Sequence, residues 1–194
     1  GGTFDIGLQA LSGTVDRNEH YIYVCLDNEA YMNTGIQASS ATPECAWTIT
    51  TPSGRPFRKK NIMEIMAAHR IPYAATASIG YPQDLMDKVK KARNIQGTKF
   101  LHILTPCATG WRMAEGLTVK AAMLSVETRL FPLYEVFDGR RYAITYEPQG
   151  FPIDEYLQMQ GRYGHLTQDQ IANMQTQIEE EWENLRNKVT GCQC

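Results

Sequence analysis

The chain has 194 residues, a net charge of −2 and 43% hydrophobic residues. That is enough for one domain with a sizeable core, gives no electrostatic case for a nucleic-acid partner, and holds no apolar run near the roughly 20 residues that span a bilayer. The opening Gly1-Gly2-Thr3-Phe4-Asp5 lacks the n- and h-regions of a signal peptide, and the five cysteines (Cys25, Cys45, Cys107, Cys192, Cys194) are odd in number and irregularly spaced, so reduced thiols in the cytoplasm are expected.

Asp5 to Arg17 carries Ile6, Leu8, Leu11 and Val15 at roughly helical spacing. Tyr21-Ile22-Tyr23-Val24-Cys25-Leu26 is a continuous apolar run ending in Asp27-Asn28, the pattern of a parallel strand covered on both faces. A long polar loop follows from Glu29 to Lys60, and loops of that length inside a compact domain are usually functional. Its basic run, Arg58-Lys59-Lys60, is expected to be solvated. Asn61 caps a helix with Ile62, Ile65 and Met66. Tyr73 to Ile79 is a strand, Pro82 opens a helix through Leu85, Val89 and Ala92, and Phe100 to Leu104 is a further strand containing His102, expected as a core histidine. Another helix runs from about Leu117 to Thr128. This βαβα order predicts an α/β fold with a mostly parallel sheet and helices on both faces.

The last third, from about residue 130 to 194, differs in character and reads as a C-terminal extension of one domain. Leu133 to Tyr146, broken at Asp138-Gly139, predicts a β-hairpin. Thr167-Gln168-Asp169-Gln170 matches a capping box, and behind it Ile171, Met174, Ile178, Trp182, Leu185 and Val189 form one helical stripe. The stripe packs on the domain or on a partner subunit; together with the apolar residues of the long loop it is expected to mark an interface.

Gly1-Gly2-Thr3-Phe4-Asp5-Ile6-Gly7, the Tyr21–Leu26 strand and Asp27-Asn28-Glu29-Ala30-Tyr31-Met32-Asn33-Thr34-Gly35 form one pattern. It resembles the diphosphate-binding signature of thiamine-diphosphate enzymes, a Gly-Asp-Gly followed at a distance by an Asn-containing turn. Glycines let backbone approach a phosphate, helix N-termini favour anions, and amide and carboxylate oxygens suit Mg²⁺. Such ligands sit at the carboxyl ends of parallel strands. Further blocks, Ser39 to Pro43, Leu104-Thr105-Pro106-Cys107-Ala108-Thr109-Gly110-Trp111, Phe131 to Val136 and Tyr156 to Arg162, extend the likeness along the chain. Together they resemble the β subunit of pyruvate:ferredoxin oxidoreductases.

That resemblance implies cofactor contacts from Gly1, Gly2, Asp27, Asn28, Ala30, Met32, Asn33 and Thr34. It implies that the Asn28 side chain and the Ala30 carbonyl hold Mg²⁺, that Asn33 reaches the reacting carbon, and that Cys107 ligates a 4Fe–4S cluster. The implied reaction is oxidative decarboxylation of a 2-oxoacid to acyl-CoA and CO₂, with coenzyme A as co-substrate and electrons passing to ferredoxin. Partners would be a subunit bearing the activating Glu and an iron–sulfur subunit. The signature's Asp and three further cluster cysteines are expected upstream of Gly1. A non-oxidative decarboxylase or synthase, or an oxidoreductase for oxalate or 2-oxoisovalerate, is the alternative; Cys107 separates the first of these from the main reading.

Overall fold

The computed structural model describes residues 1–191; Cys192 and Cys194 lie outside the described residues. A π-helical segment, Gly2–Ile6, leads into α1 (Leu8–Asp16). Then come β1 (Ile22–Asp27), α2 (Ile62–Ala68), β2 (Tyr73–Ser78), α3 (Pro82–Asn94), β3 (Lys99–Leu104), α4 (Ala108–Trp111) and α5 (Thr118–Glu127). The chain finishes with β4 (Tyr134–Phe137), β5 (Arg141–Ile144), α6 (Asp154–Gln158) and α7 (Gln168–Gly191).

The five strands form one sheet in the order β1-β3-β2-β4-β5. β1, β3 and β2 are parallel, in register from Ile22, Lys99 and Tyr73 onward. β4 adds antiparallel to β2, and β5 to β4. The predicted hairpin therefore completes the sheet. Its turn takes Asp138 at φ 53° and Gly139 at φ 64°, two left-handed residues in succession. A Cβ at Gly139 would stand 2.1 Å from the Ala67 carbonyl, so glycine is required there.

Helices cover both faces. Leu11 and Val15 of α1, Ile62 and Met66 of α2, and Trp182 and Leu185 of α7 pack with Cys25, Ala74 and Phe100 on one side. On the other, Ala92 of α3 meets Tyr73, Ala75, Ala77, Leu101 and Ile103. No helix among the described residues is long and apolar enough to cross a membrane.

Two caps form as the sequence predicts. Asn61 accepts from the Glu64 N–H, and Thr167 and Gln170 bond reciprocally at the start of α7. Three expectations change. β1 is an edge strand whose second face is largely open: Ile22 packs against the cluster under α3, but Val24 is 49% and Leu26 65% exposed. In α3 the buried stripe holds Ala92 but not Val89; Lys88 is buried instead, its charge met by Asp84 at 2.6 Å. The α7 stripe is covered by this chain's own residues: Met174 and Ile178 pack with Tyr156 and Leu157, Trp182 and Leu185 with Tyr134 and Tyr142. It is core, not an open interface.

Candidate functional site

At the carboxyl end of β1 the chain turns sharply, and the opening π-helical segment lies beside that turn. Gly1, Gly2, Thr3 and Phe4 share one cleft of about 300 Å³ with Cys25 to Asn28 and with Ala30 to Thr34. Every residue implied to contact the cofactor lines it: Gly1, Gly2, Asp27, Asn28, Ala30, Met32, Asn33 and Thr34. The Tyr31 ring packs against Gly1 so closely that a Cβ there would overlap it, whereas a Cβ at Gly2 would meet nothing within 4 Å. The backbone at Gly2 is open to the cleft.

The turn after β1 is held from behind. Asp27 Oδ1 accepts the Glu29 N–H at 2.8 Å. The Trp111 indole donates to the Asn28 carbonyl at 3.0 Å, and the Thr42 hydroxyl donates to the Glu29 carbonyl at 2.7 Å. Glu29 itself is in the left-handed region at φ 69°, a costly conformation for a non-glycine residue that these bonds enforce. The Trp111 bond takes the Asn28 backbone and leaves its side-chain amide for the cleft. No described donor bonds the Ala30 carbonyl.

Behind the turn lies a buried ionic network. The Lys59 ammonium stands 2.6 Å from Asp27 Oδ2 and 2.9 Å from Glu29 Oε1. Arg162 takes the other Glu29 oxygen at 2.7 Å, and His102 Nε2 bonds Asp27 Oδ2 at 2.8 Å. Both carboxylates are almost fully enclosed, at 2% and 4% side-chain exposure. Burial alone would raise the Asp27 carboxyl, but Lys59 and His102 outweigh it and hold it below the usual carboxylate range. Burial also lowers the His102 pKa against the pull of Asp27, which favours the neutral ring. That ring sits between Phe4 and Phe131, edge-on to both. With His102 neutral, two anions face two cations.

The match with known families then decides the assignment: residues 1–103 match the model described as the thiamine pyrophosphate enzyme C-terminal TPP-binding domain. This chain belongs to the thiamine pyrophosphate enzymes. Over most of its length it is similar to curated 2-oxoacid oxidoreductase subunits. It is 52% identical to pyruvate synthase subunit PorB of Methanocaldococcus jannaschii, over 93% of this chain and 62% of that protein. It is 48% identical to ketoisovalerate oxidoreductase subunit VorB of Pyrococcus furiosus, over 96% of this chain and 62% of that protein. The chain thus spans less than two thirds of the length of these relatives. Among solved structures, a 2-oxoglutarate:ferredoxin oxidoreductase from Magnetococcus marinus with 2-oxoglutarate, coenzyme A and succinyl-CoA bound aligns at TM-score 0.52 and 29% identity. That alignment covers 55% of this chain and 36% of that one. The relatives are enzyme subunits, and the α/β sheet described above is the TPP-binding fold.

Within this TPP-binding domain Cys107 lies near the cleft. A Cβ at Gly110 would be 2.1 Å from Met32 Sδ and 3.5 Å from Cys107 Sγ, so the thiol lies close to Met32, which lines the cleft, while Cys107 does not line it. Among the described residues no three His, Cys, Asp or Glu side chains gather to hold a metal ion. Cys25 is buried in β1, as its apolar run predicts, and burial pushes its thiol up to about 11.

The network was not foreseen. Arg58-Lys59-Lys60 reads as a solvated run, yet only Arg58 is well exposed, paired with Glu181. Lys59 turns inward to Asp27 and Glu29, and Lys60 bonds the Phe4 carbonyl and lies 3.7 Å from Asp5. In the sequence Arg162 stands as part of a matching block, and its charge inside an otherwise uncharged stretch, Tyr156 to Gly164, is the signal that marks it.

Proposed function

We propose that this chain is the diphosphate- and Mg²⁺-holding part of the β subunit of a cytoplasmic 2-oxoacid:ferredoxin oxidoreductase that acts on pyruvate. One observation carries the reading: the Gly1-Gly2 segment and the turn after β1, separated by a helix and a strand, converge on one cleft. The open backbone at Gly2 suits close approach of a phosphate. The Asn28 side-chain oxygen and the Ala30 carbonyl are the hard oxygen donors that Mg²⁺ requires. Asp27 contributes by orienting the turn, since its carboxylate is spent on Lys59, His102 and the Glu29 N–H. Met32 and Thr34 would flank the cofactor, and the exposed Asn33 would reach the reacting carbon of the substrate.

Bound thiamine diphosphate would supply the electron sink for decarboxylating a 2-oxoacid. The assigned overall reaction yields acyl-CoA and CO₂, with coenzyme A as acceptor and electrons leaving through a 4Fe–4S cluster to ferredoxin. Cys107 would give one thiolate ligand, the remaining ligands coming from outside this chain, as would the activating Glu on its own subunit. A branched 2-oxoacid is the second reading, favoured by the 48% identity to the ketoisovalerate relative.

The test is to assay the purified complex for viologen reduction over pyruvate, 2-oxoisovalerate, 2-oxoglutarate and oxalate, and to titrate thiamine diphosphate calorimetrically with and without Mg²⁺. Pyruvate should give the highest kcat/KM, and Asn28→Ala should abolish the Mg²⁺-dependent binding. Wild-type cofactor affinity in Asn28→Ala would overturn the site; no turnover of any 2-oxoacid would overturn the activity.

A further inference from the structure

The residues on either side of Asn28 are both acidic and both buried, and their carboxylates are taken up by partners within the protein. Their partners come from three distant parts of the chain: Lys59 from the end of the long loop, His102 from β3, and Arg162 from the segment before α7. Lys59 alone touches both carboxylates, at 2.6 and 2.9 Å. It also lies 5.9 Å from the Phe4 and Phe131 ring centres, so its charge is lodged in an apolar cage. Only 23% of its side chain reaches solvent.

We infer that Lys59 is a positioning residue that clamps the Asn28–Ala30 turn in its cofactor-ready shape, with Glu29 and Arg162 as its buttress; this rests on the cofactor reading above. The physical reason is charge and backbone together. Without Lys59, two enclosed carboxylates two residues apart lose the cation they share, and like charges in a poorly solvated place repel. Glu29 occupies a left-handed conformation held by its side-chain ion pairs, by the Thr42 bond to its carbonyl and by its own N–H bond to Asp27. Releasing the side chain lets the backbone relax, and the Asn28 amide and Ala30 carbonyl lose their common direction.

The experiment uses the assembled complex, stripped of cofactor, with Lys59→Met, Lys59→Arg and Glu29→Gln variants. Each is titrated with thiamine diphosphate by calorimetry over a Mg²⁺ series, and each apo complex is melted. Lys59→Met should raise the cofactor Kd by about tenfold or more and raise the Mg²⁺ concentration for half-maximal binding. Lys59→Arg, which keeps the charge, should restore most of both. A Lys59→Met complex that melts earlier but binds cofactor with unchanged Kd and Mg²⁺ dependence overturns the inference, because the network would then serve only the fold. Should Lys59→Met fail to assemble, Glu29→Gln decides: a raised Kd supports the clamp and an unchanged Kd overturns it. Failure of the cofactor reading itself is seen separately, as absence of Mg²⁺-dependent binding in the wild-type arm, and the inference falls with it.

Discussion

Arg162 gives the sharpest test of how the site is supported. Its guanidinium is 2% exposed, pairs with Glu29 at 2.7 Å, donates from Nε to Gln160 at 2.8 Å and lies 3.9 Å over the Trp111 ring. Arg162→Met keeps the aliphatic stem and removes the charge. Breaking one side of a buried ion pair costs about 3–5 kcal/mol, because the surviving charge is left desolvated. Here Lys59 still neutralises the other Glu29 oxygen, so the lower end, about 3 kcal/mol, is expected. Against a total stability of about 5–15 kcal/mol that is a large loss. Glu29→Gln removes the stranded carboxylate, so the double variant should be more stable than the sum of the singles by about 1–3 kcal/mol. Urea denaturation of the subunit, read as midpoint shifts at constant m, measures all four corners of the cycle. A single-variant loss under about 1 kcal/mol, or singles that add to within about 0.5 kcal/mol, would refute the claim that the pair is a coupled buried support.

Asn61→Ala, which removes the side-chain bond to the Glu64 N–H, should cost about 1 kcal/mol in the same denaturation assay. Glu127 gives the pH test. Burial raises its carboxyl pKa, but bonds from the Gln149 N–H, Tyr146 and Tyr81 outweigh this and leave it below the usual carboxylate value. A lowered folded-state pKa means that its stabilisation is full above the unfolded carboxylate pKa and is lost as pH falls through the folded one. The urea midpoint should therefore drop between about pH 5 and 3, and less steeply in Glu127→Gln; identical slopes would count against it.

Much of the candidate site was legible because its cleft-lining residues are local in sequence. A strand ending in Asp27-Asn28 announces a strand-end site without any tertiary knowledge, and the glycine segment does the same. The support was not legible. Lys59 is 30 residues from Glu29, and Arg162 is 133 residues from it. A loop has no period, so no sequence rule says which member of Arg58-Lys59-Lys60 turns inward. The edge position of β1 was hidden for a related reason: Tyr21 to Leu26 is apolar throughout, and composition cannot show that α3 stops short of Val24 and Leu26. The α7 stripe shows the converse. Its helical spacing was readable, but its cover by Tyr134, Tyr142, Tyr156 and Leu157 depends on where the hairpin and α6 return.

The arrangement of charge suggests why position 28 is an amide. On the proposed reading a diphosphate would bring negative charge to the cleft, and Asp27 and Glu29 already place two carboxylates beside the turn. Both are neutralised from behind, so the turn offers the cleft neutral dipoles from Asn28 and Ala30. Asn28→Asp keeps an oxygen at the same reach but adds a third anion that neither Lys59 nor Arg162 can serve, since each is already paired. Binding of Mg²⁺ alone should be kept or tightened, because a carboxylate is a better hard ligand than an amide. Thiamine diphosphate affinity at saturating Mg²⁺ should fall by about tenfold, the effect of one poorly screened like charge near the ligand. Calorimetry of the two ligands separately reads the two effects. If Asn28→Asp bound the cofactor as tightly as the wild type, net neutrality of the turn would not matter, and only the presence of an oxygen at position 28 would.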